Sequence, residues 1–435
     1  MRKYFGTDGI RRIANTELSP SLVFRVAKAG ASVLSEYTEK APTIFIGRDT
    51  RISGTLIESA MLAGFLSYGA NVKTLGVIPT PAVAYLTKKY NADASVVISA
   101  SHNTFEFNGI KYFSNKGMKI PDSLEEEIEE IMDSDEKLSA LTAVAEKIGI
   151  AENAENMIED YVDFIVGIFH ENITKNKTED FRVLIDTANG ATYKVAEKIY
   201  KRLGINFDII NNEPNGININ DNCGSTHLGM LKEKVVEGKY NLGIAYDGDG
   251  DRCLAVDENG EEIDGDIMLA IASNYLKIKD KLAKDTLVAT VMSNLGLNKF
   301  SEKTEINFKQ TKVGDRYVLE EMIANGYNLG GEQSGHIIYL DYNPTGGILT
   351  SLMLIQILLE TKQLPSEARK VVTIYPQVLI NAKVSSDKKY DYEKDTEIKA
   401  AIEKLTAEFS GNGRVLIRPS GTEPLVRVMI EGEDQ

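Results

Sequence analysis

Ala94-Ser-Val-Val-Ile-Ser-Ala-Ser-His-Asn103 begins as an apolar run and ends in hydroxyls and an imidazole. Ala94 to Ile98 has the length and residue types of a buried strand. Working back from it, Pro81 to Tyr90 reads as a helix, Val72 to Val77 as a strand, and Gly54 to Gly69 as another helix. Thr43 to Ile46 is a further strand, followed by the polar turn Gly47-Arg-Asp-Thr-Arg51. Ser19-Pro20 has the form of an N-cap and first helical residue, with Leu22, Val23, Val26, Val33 and Leu34 at helical spacing behind it. Alternation of this kind predicts βαβ units and a mainly parallel, covered sheet.

The theme returns twice. Phe181 to Ile185, Thr192 to Leu203, Phe207 to Ile210 and Leu242 to Tyr246 read as strand, helix, strand and strand. Ile267 to Leu276, Leu287 to Met292 and Arg316 to Ala324 read as helix, strand and helix. A helix over Glu152 to Phe169, with Ile158, Tyr161, Val162, Ile165 and Ile168 on one face, is placed between the first two units. The acidic stretch Asp122 to Glu136 reads as a solvated helix face. After Pro365 the pattern changes. Val371 to Val384, a helix over Glu397 to Phe409, Arg414 to Arg418 and Leu425 to Ile430 suggest a small α+β unit. The expected architecture is three similar α/β domains with mainly parallel mixed sheets plus a smaller α+β C-terminal domain, around a central cleft. The expected divisions are 1–150, 151–252, 253–366 and 367–435.

Composition narrows the function. With 43% hydrophobic and 26% charged residues, the 435-residue chain is a globular one of several domains. No apolar run approaches a membrane span, and the opening residues lack the apolar core of a secretion signal. Two cysteines, Cys223 and Cys253, build no disulfide framework, so a reducing cytoplasm is expected. A formal charge of −15 argues against nucleic acid or anionic membrane as a partner. A phosphorylated substrate then requires cationic groups gathered locally.

Asp247-Gly-Asp-Gly-Asp-Arg252 is the densest chemical signal. In an extended chain Asp247 and Asp251 would lie roughly 13 Å apart, but Gly248 and Gly250 allow positive φ and a curl that brings the carboxylates together. Oxygen ligands without His or Cys favour Mg²⁺ over zinc. A calcium-binding helix–loop–helix is the rival, since Glu258 falls at the twelfth position. It fails because Arg252 stands where that loop needs glycine and because the flanks read as strands.

Ser101, just past the carboxyl end of a parallel strand, stands where such sheets bind ligands. With His102 and Lys111 nearby for proton transfer, it reads as a nucleophile or phosphate carrier, against a bland reading of a capped turn. A Ser-His-Asp hydrolase lacks its Gly-x-Ser-x-Gly here. Arg418-Pro-Ser-Gly-Thr-Glu-Pro424 links two strands and offers a guanidinium, two hydroxyls and open N–H groups for a phosphate, with Arg427 beyond. In Gly330-Gly-Glu-Gln-Ser-Gly-His336, Glu332 and Ser334 suit adjacent sugar hydroxyls.

Together with Phe5-Gly-Thr-Asp-Gly-Ile-Arg11 and Asn222-Cys-Gly-Ser-Thr-His227, these loops closely resemble the α-D-phosphohexomutase superfamily over nearly the whole chain. Gln333 resembles its amino-sugar branch. The resemblance implies a phosphosugar mutase that interconverts glucosamine 6-phosphate and glucosamine 1-phosphate, feeding UDP-N-acetylglucosamine and cell-wall synthesis. Mannose- or glucose-phosphate mutases are the alternative. It implies phosphoserine at Ser101, Mg²⁺ held by Asp247, Asp249, Asp251 and the serine phosphate, and a hexosamine 1,6-bisphosphate that reverses end for end. Lys111 and His102 are then the acid–base candidates, and Arg11 and Arg252 add charge near the transferred group. Glu332 and Ser334 hold sugar hydroxyls with His336 nearby, and Arg418, Ser420, Gly421, Thr422 and Arg427 hold the non-reacting phosphate. A homodimer through the first domain is a further expectation. A non-catalytic sugar-phosphate sensor or a metal-dependent phosphatase are the readings of other classes.

Overall fold

The structure, a computed structural model, describes residues 3–6, 8–35, 40–176, 180–385, 389–409, 411–419 and 425–433. Among these residues four sheets carry the fold. In the first, four mutually parallel strands, Ala94–Ile98, Thr43–Arg48, Asn71–Val77 and Ala151–Asn153, stand side by side. Phe107–Ser114 then pairs antiparallel with Ala94–Ile98, and Ile10–Ile13 pairs antiparallel with it in turn. The second sheet repeats the plan. Asn206–Ile210, Arg182–Asp186 and Leu242–Tyr246 are parallel, and Cys253–Asp257 turns back antiparallel. In the third, Asn307–Thr311, Thr286–Thr290 and Leu329–Gly331 are parallel, and Ile337–Tyr339 turns back.

Each parallel sheet therefore ends in an antiparallel hairpin, and the hairpin turns hold the motifs. The serine loop joins Ala94–Ile98 to Phe107–Ser114, the aspartate loop joins Leu242–Tyr246 to Cys253–Asp257, and the Glu332 loop joins Leu329–Gly331 to Ile337–Tyr339. All three turns leave the carboxyl end of a parallel strand, the end at which open α/β sheets bind ligands. The fourth sheet is wholly antiparallel, in the order Gln377–Lys383, Leu425–Gly432, Gly413–Pro419, with the helix Thr396–Phe409 alongside the last strand. The expected α/β plan with a smaller α+β end is present. The expected junction after Arg252 falls inside the second sheet, because Cys253–Asp257 pairs back onto Leu242–Tyr246 and Glu262–Ile263 extends the sheet further.

Local chemistry accounts for the elements. Ser19 caps the helix Pro20–Leu34 by accepting from the Leu22 N–H, and Asp264 caps Gly265–Ile278 by accepting from Ile267. The helix Ile158–Asn176 buries Tyr161, Val162, Ile165, Phe169 and Ile173 in a core that the first, second and third sheets share. Ile348–Thr361 lies against it and is buried almost all round. Its Ser351 hydroxyl meets Tyr200 and Tyr246, so three buried hydroxyls satisfy one another.

The acidic stretch is not simply a solvated face. Glu129, on the helix Asp122–Met132, is buried and accepts from the backbone N–H groups of Lys3, Tyr4 and Phe5 at 2.6, 2.6 and 2.7 Å. A carboxylate thus fastens the strand-like N-terminal segment that leads to Arg11. Among the described residues no helix is long and apolar enough to cross a membrane, and both cysteines are free and buried.

Candidate active site

Ser101 is buried at 1% exposure and has a left-handed φ of 50°. A non-glycine residue held there costs backbone energy, which the surroundings must offset. They do so through its carbonyl, which accepts from Arg51 Nη2 at 3.0 Å and from Asn220 Nδ2 at 2.9 Å. The same two side chains reach the Asn103 carbonyl at 2.7 and 2.8 Å. Arg51 also donates to the Thr104 and Phe107 carbonyls and pairs with Asp49 at 2.8 Å, neither side chain being exposed. What reads in the sequence only as a polar turn thus supplies the buried frame of the serine loop.

That frame yields a prediction. Arg51→Met should take one donor from each of four carbonyls, two of which keep Asn220, and leave Asp49 without its ion-pair partner, costing about 3–5 kcal/mol. Arg51→Lys should rescue little, because one ammonium cannot reproduce a planar fork of donors. Chemical denaturation of the three proteins checks this, and a midpoint unchanged in Arg51→Met would contradict it.

The Ser101 hydroxyl donates to Asp247 Oδ2 at 2.6 Å, and His102 Nδ1 lies 3.5 Å from the Ser101 Oγ. Asp247, Asp249 and Asp251 are all buried and offer ligand oxygens within 4.8 Å of one another. Gly250 supplies the expected positive φ, at 69°. Gly248 does not; it is needed for close approach, since a Cβ there would stand 2.6 Å from the Ser101 carbonyl oxygen. Asp249 Oδ2 accepts from Lys111 Nζ and Thr80 Oγ1, each at 2.9 Å. Asp249 Oδ1 and Asp251 Oδ1 are buried with no partner. Burial, then Asp249 and Asp251, push Asp247 well above the usual carboxylate range. Orphaned oxygens and excess negative charge are what a bound divalent cation would relieve, so the triad fits a hard metal ion.

Cations surround this cluster. Burial works against the charge on Lys111, but Asp249 at 2.9 Å and Asp8 at 2.9 Å outweigh it and hold the ammonium above the usual lysine value. His102 moves the other way, since burial followed by Arg252, Arg11 and Lys111 lowers it to about 4. One neighbour is therefore kept charged and the other neutral. Arg11 donates to Asn103 Oδ1 at 2.9 Å and pairs with Asp8 at 3.1 Å. Burial opposes the charge on Arg252, and Asp247, Asp251 and Glu332 raise it further.

On the third unit's wall, Glu332 Oε1 accepts from the Gly314 N–H at 2.9 Å, and burial and then Asp315 push its carboxyl up. His336 bridges toward the triad, with Nδ1 3.5 Å from Asp251 and Nε2 3.6 Å from Asp315. Burial opposes its charge, but these carboxylates raise it to about 9. Ser334 lies at the partly exposed tip of the same turn. Gln333 turns away to donate to Asp264 Oδ2 at 3.1 Å, locking the loop to a helix cap rather than entering the cleft.

Arg418 and Arg427 face each other directly across antiparallel strands. Burial and then Arg427 lower Arg418, and Glu332 partly restores it, so Arg418 feels the Glu332 carboxylate of the third unit. Two like charges so placed repel unless an anion joins them. Ser420, Gly421 and Thr422 lie outside the described residues. Sequence reasoning missed Arg51, Thr80, Asn220, Lys119 and Asp315. Of these, Lys119 and Asp315 pair at 2.9 Å across the cleft between the first and third units.

A pinned hydroxyl, a carboxylate triad and facing arginines on separate walls are the equipment of phosphoryl transfer. The comparisons carry this to a family. Models of the phosphoglucomutase/phosphomannomutase family match four consecutive stretches: α/β/α domain I over residues 2–139, domain II over 159–260, domain III over 264–375 and the C-terminal domain over 379–435. A phosphoglucosamine mutase from Ruminiclostridium cellulolyticum is 52% identical over 436 residues, covering 100% of this chain and 96% of that protein. Another from Clostridium botulinum is 53% identical over 439 residues with the same coverage. The fold matches the crystal structure of a phosphoglucomutase/phosphomannomutase family protein from Burkholderia thailandensis with a TM-score of 0.81 at 21% identity, covering 99% of this chain and 93% of that one. The chain belongs to the phosphoglucomutase/phosphomannomutase family and is an intramolecular phosphotransferase.

Proposed function

We propose that the chain interconverts glucosamine 6-phosphate and glucosamine 1-phosphate, with Ser101 as the phosphoryl carrier and a hexosamine 1,6-bisphosphate as the intermediate. The observation that carries the reading is the Ser101 hydroxyl, 2.6 Å from Asp247 within three buried carboxylates. The relatives of about half-identical sequence, named phosphoglucosamine mutases, support the amino sugar.

Asp247, Asp249 and Asp251, with the serine phosphate, would hold Mg²⁺, which when bound neutralises phosphoryl charge. The phosphoryl group passes from Ser101 Oγ to the free sugar hydroxyl, breaking one O–P bond and forming another. His102, kept neutral, accepts the hydroxyl proton and passes it to the departing Ser101 oxygen, which lies 3.5 Å from its Nδ1. Lys111, kept charged, supplies a donor and a positive charge beside Asp249 and is the acid of the pair. Glu332 and Ser334 hold the sugar's hydroxyls with His336 beside them, Arg11 and Arg252 attract the reacting phosphate, and Arg418, Arg427 and the Ser420, Gly421 and Thr422 turn hold the other one. After the bisphosphate reverses, its second phosphate returns to Ser101. The reading includes a cytoplasmic location, a homodimer through the first domain, and divisions near 150 and 366 with the second unit running through Ile263.

Glucosamine-, glucose- and mannose-1-phosphate assayed side by side test it. We expect the amino sugar to lead in kcat/KM by at least about tenfold, with almost no inorganic phosphate released. A hexose phosphate in first place would overturn the substrate, and stoichiometric phosphate release would overturn the reaction.

A further inference from the structure

Asp315 belongs to none of the loops read from the sequence, yet it stands between two of them. Gly314 before it holds the Glu332 carboxylate, and His336 links it to Asp251. Its side chain is 20% exposed and, with Asp251, Lys119 and Thr345, lines a cavity of about 140 Å³. A carboxylate there is electrostatically wrong for a phosphate, which the cleft meets elsewhere with arginines. We propose that Asp315 receives the protonated 2-amino group of the substrate and so selects an amino sugar over a neutral hexose. The inference rests on the function proposed above and names the residue behind its substrate preference.

The present partners of Asp315 can release it without leaving a buried charge alone. Lys119 also pairs with Asp8, and His336 Nε2 also lies 3.3 Å from the Thr345 hydroxyl. An incoming ammonium therefore exchanges one ion pair for another. A 2-hydroxyl in its place still donates to the carboxylate, but the ion pair is lost. Glu332 is less suited to the task, because its Oε1 already accepts from the Gly314 N–H and the proposed function gives it the sugar's hydroxyls.

The test is Asp315→Asn in the full chain, assayed with glucosamine 1-phosphate and glucose 1-phosphate, with melting temperature as a check on folding. The ratio of kcat/KM between the two sugars should fall about 10- to 100-fold, carried by KM for the amino sugar, while the glucose reaction changes by no more than about threefold. Equal losses on both sugars, or an unchanged ratio, overturn the inference. A second measurement needs no variant: wild type should handle N-acetylglucosamine 1-phosphate, whose nitrogen is neutral, at least about tenfold less well than the free amine. Equal use of the two overturns ammonium recognition. A wild type that prefers glucose overturns the proposed function itself, whereas a wild type that prefers the amino sugar with a variant that loses both alike overturns only the part given to Asp315.

Discussion

Ser101→Ala is expected to lose at least about 10⁴-fold in mutase turnover, the scale seen when a covalent nucleophile is removed. It should also lack the phosphate-sized mass expected on wild type. The size of the effect follows from how little else can replace the hydroxyl. Its oxygen is the one that Asp247 and His102 both address, and its backbone is fixed by Arg51 and Asn220 from two different units. A water molecule in the space left behind would not be tethered, so phosphate reaching it would be lost to solvent rather than returned to the sugar. Removing Oγ deletes one donor to Asp247 and leaves the loop's frame intact, so stability should shift by no more than about 1 kcal/mol. Intact mass, turnover and a melting curve on both proteins separate these claims. Normal interconversion by the alanine variant would end the carrier role, whatever the loops resemble.

The parts of the fold that were legible in the sequence are those with a local signature. Ser19 before Pro20 marks a helix start, and Leu242 to Tyr246 is a strand because five apolar residues stop abruptly at an aspartate. The Asp-Gly-Asp-Gly-Asp run is legible for the same reason, since all its ligands come from one turn. The helix Ile348–Thr361 is not, because burial all round leaves it without the amphipathic period that reveals a helix. Two of the three hairpin returns were also hidden, Cys253–Asp257 being the one read as a strand. Phe107–Ser114 is a central strand despite Asn108 and Lys111, whose polar ends find Ser53 and, across the assembled cleft, the buried Asp249. Arg51 looked like surface because its bonds go to carbonyls, which no side-chain pattern records. Lys119 and Asp315 lie on different units, and nothing in the chain between them announces that they meet.

The proposed metal site gives the second large effect, and it distinguishes a ligand from the groups that hold it. Asp249 presents one oxygen to Lys111 and Thr80 and leaves the other buried and bare. Asp249→Asn keeps the shape but removes the charge, and an amide nitrogen turned either way meets Lys111 as donor against donor or points a donor at the cation. Mg²⁺ affinity should fall at least about 100-fold, and turnover should stay low at saturating Mg²⁺ because Lys111 has also lost the carboxylate that positions it. Thr80→Val keeps the ligand and removes only its support, so affinity should fall about tenfold and added Mg²⁺ should restore most of the turnover. Titration of both variants by calorimetry, with activity followed against metal concentration, reads the two cases apart. The order matters more than either number. If Asp249→Asn binds Mg²⁺ as wild type does, the buried bare oxygen is not a ligand, and the three aspartates must be holding Lys111 and Ser101 in place rather than a cation.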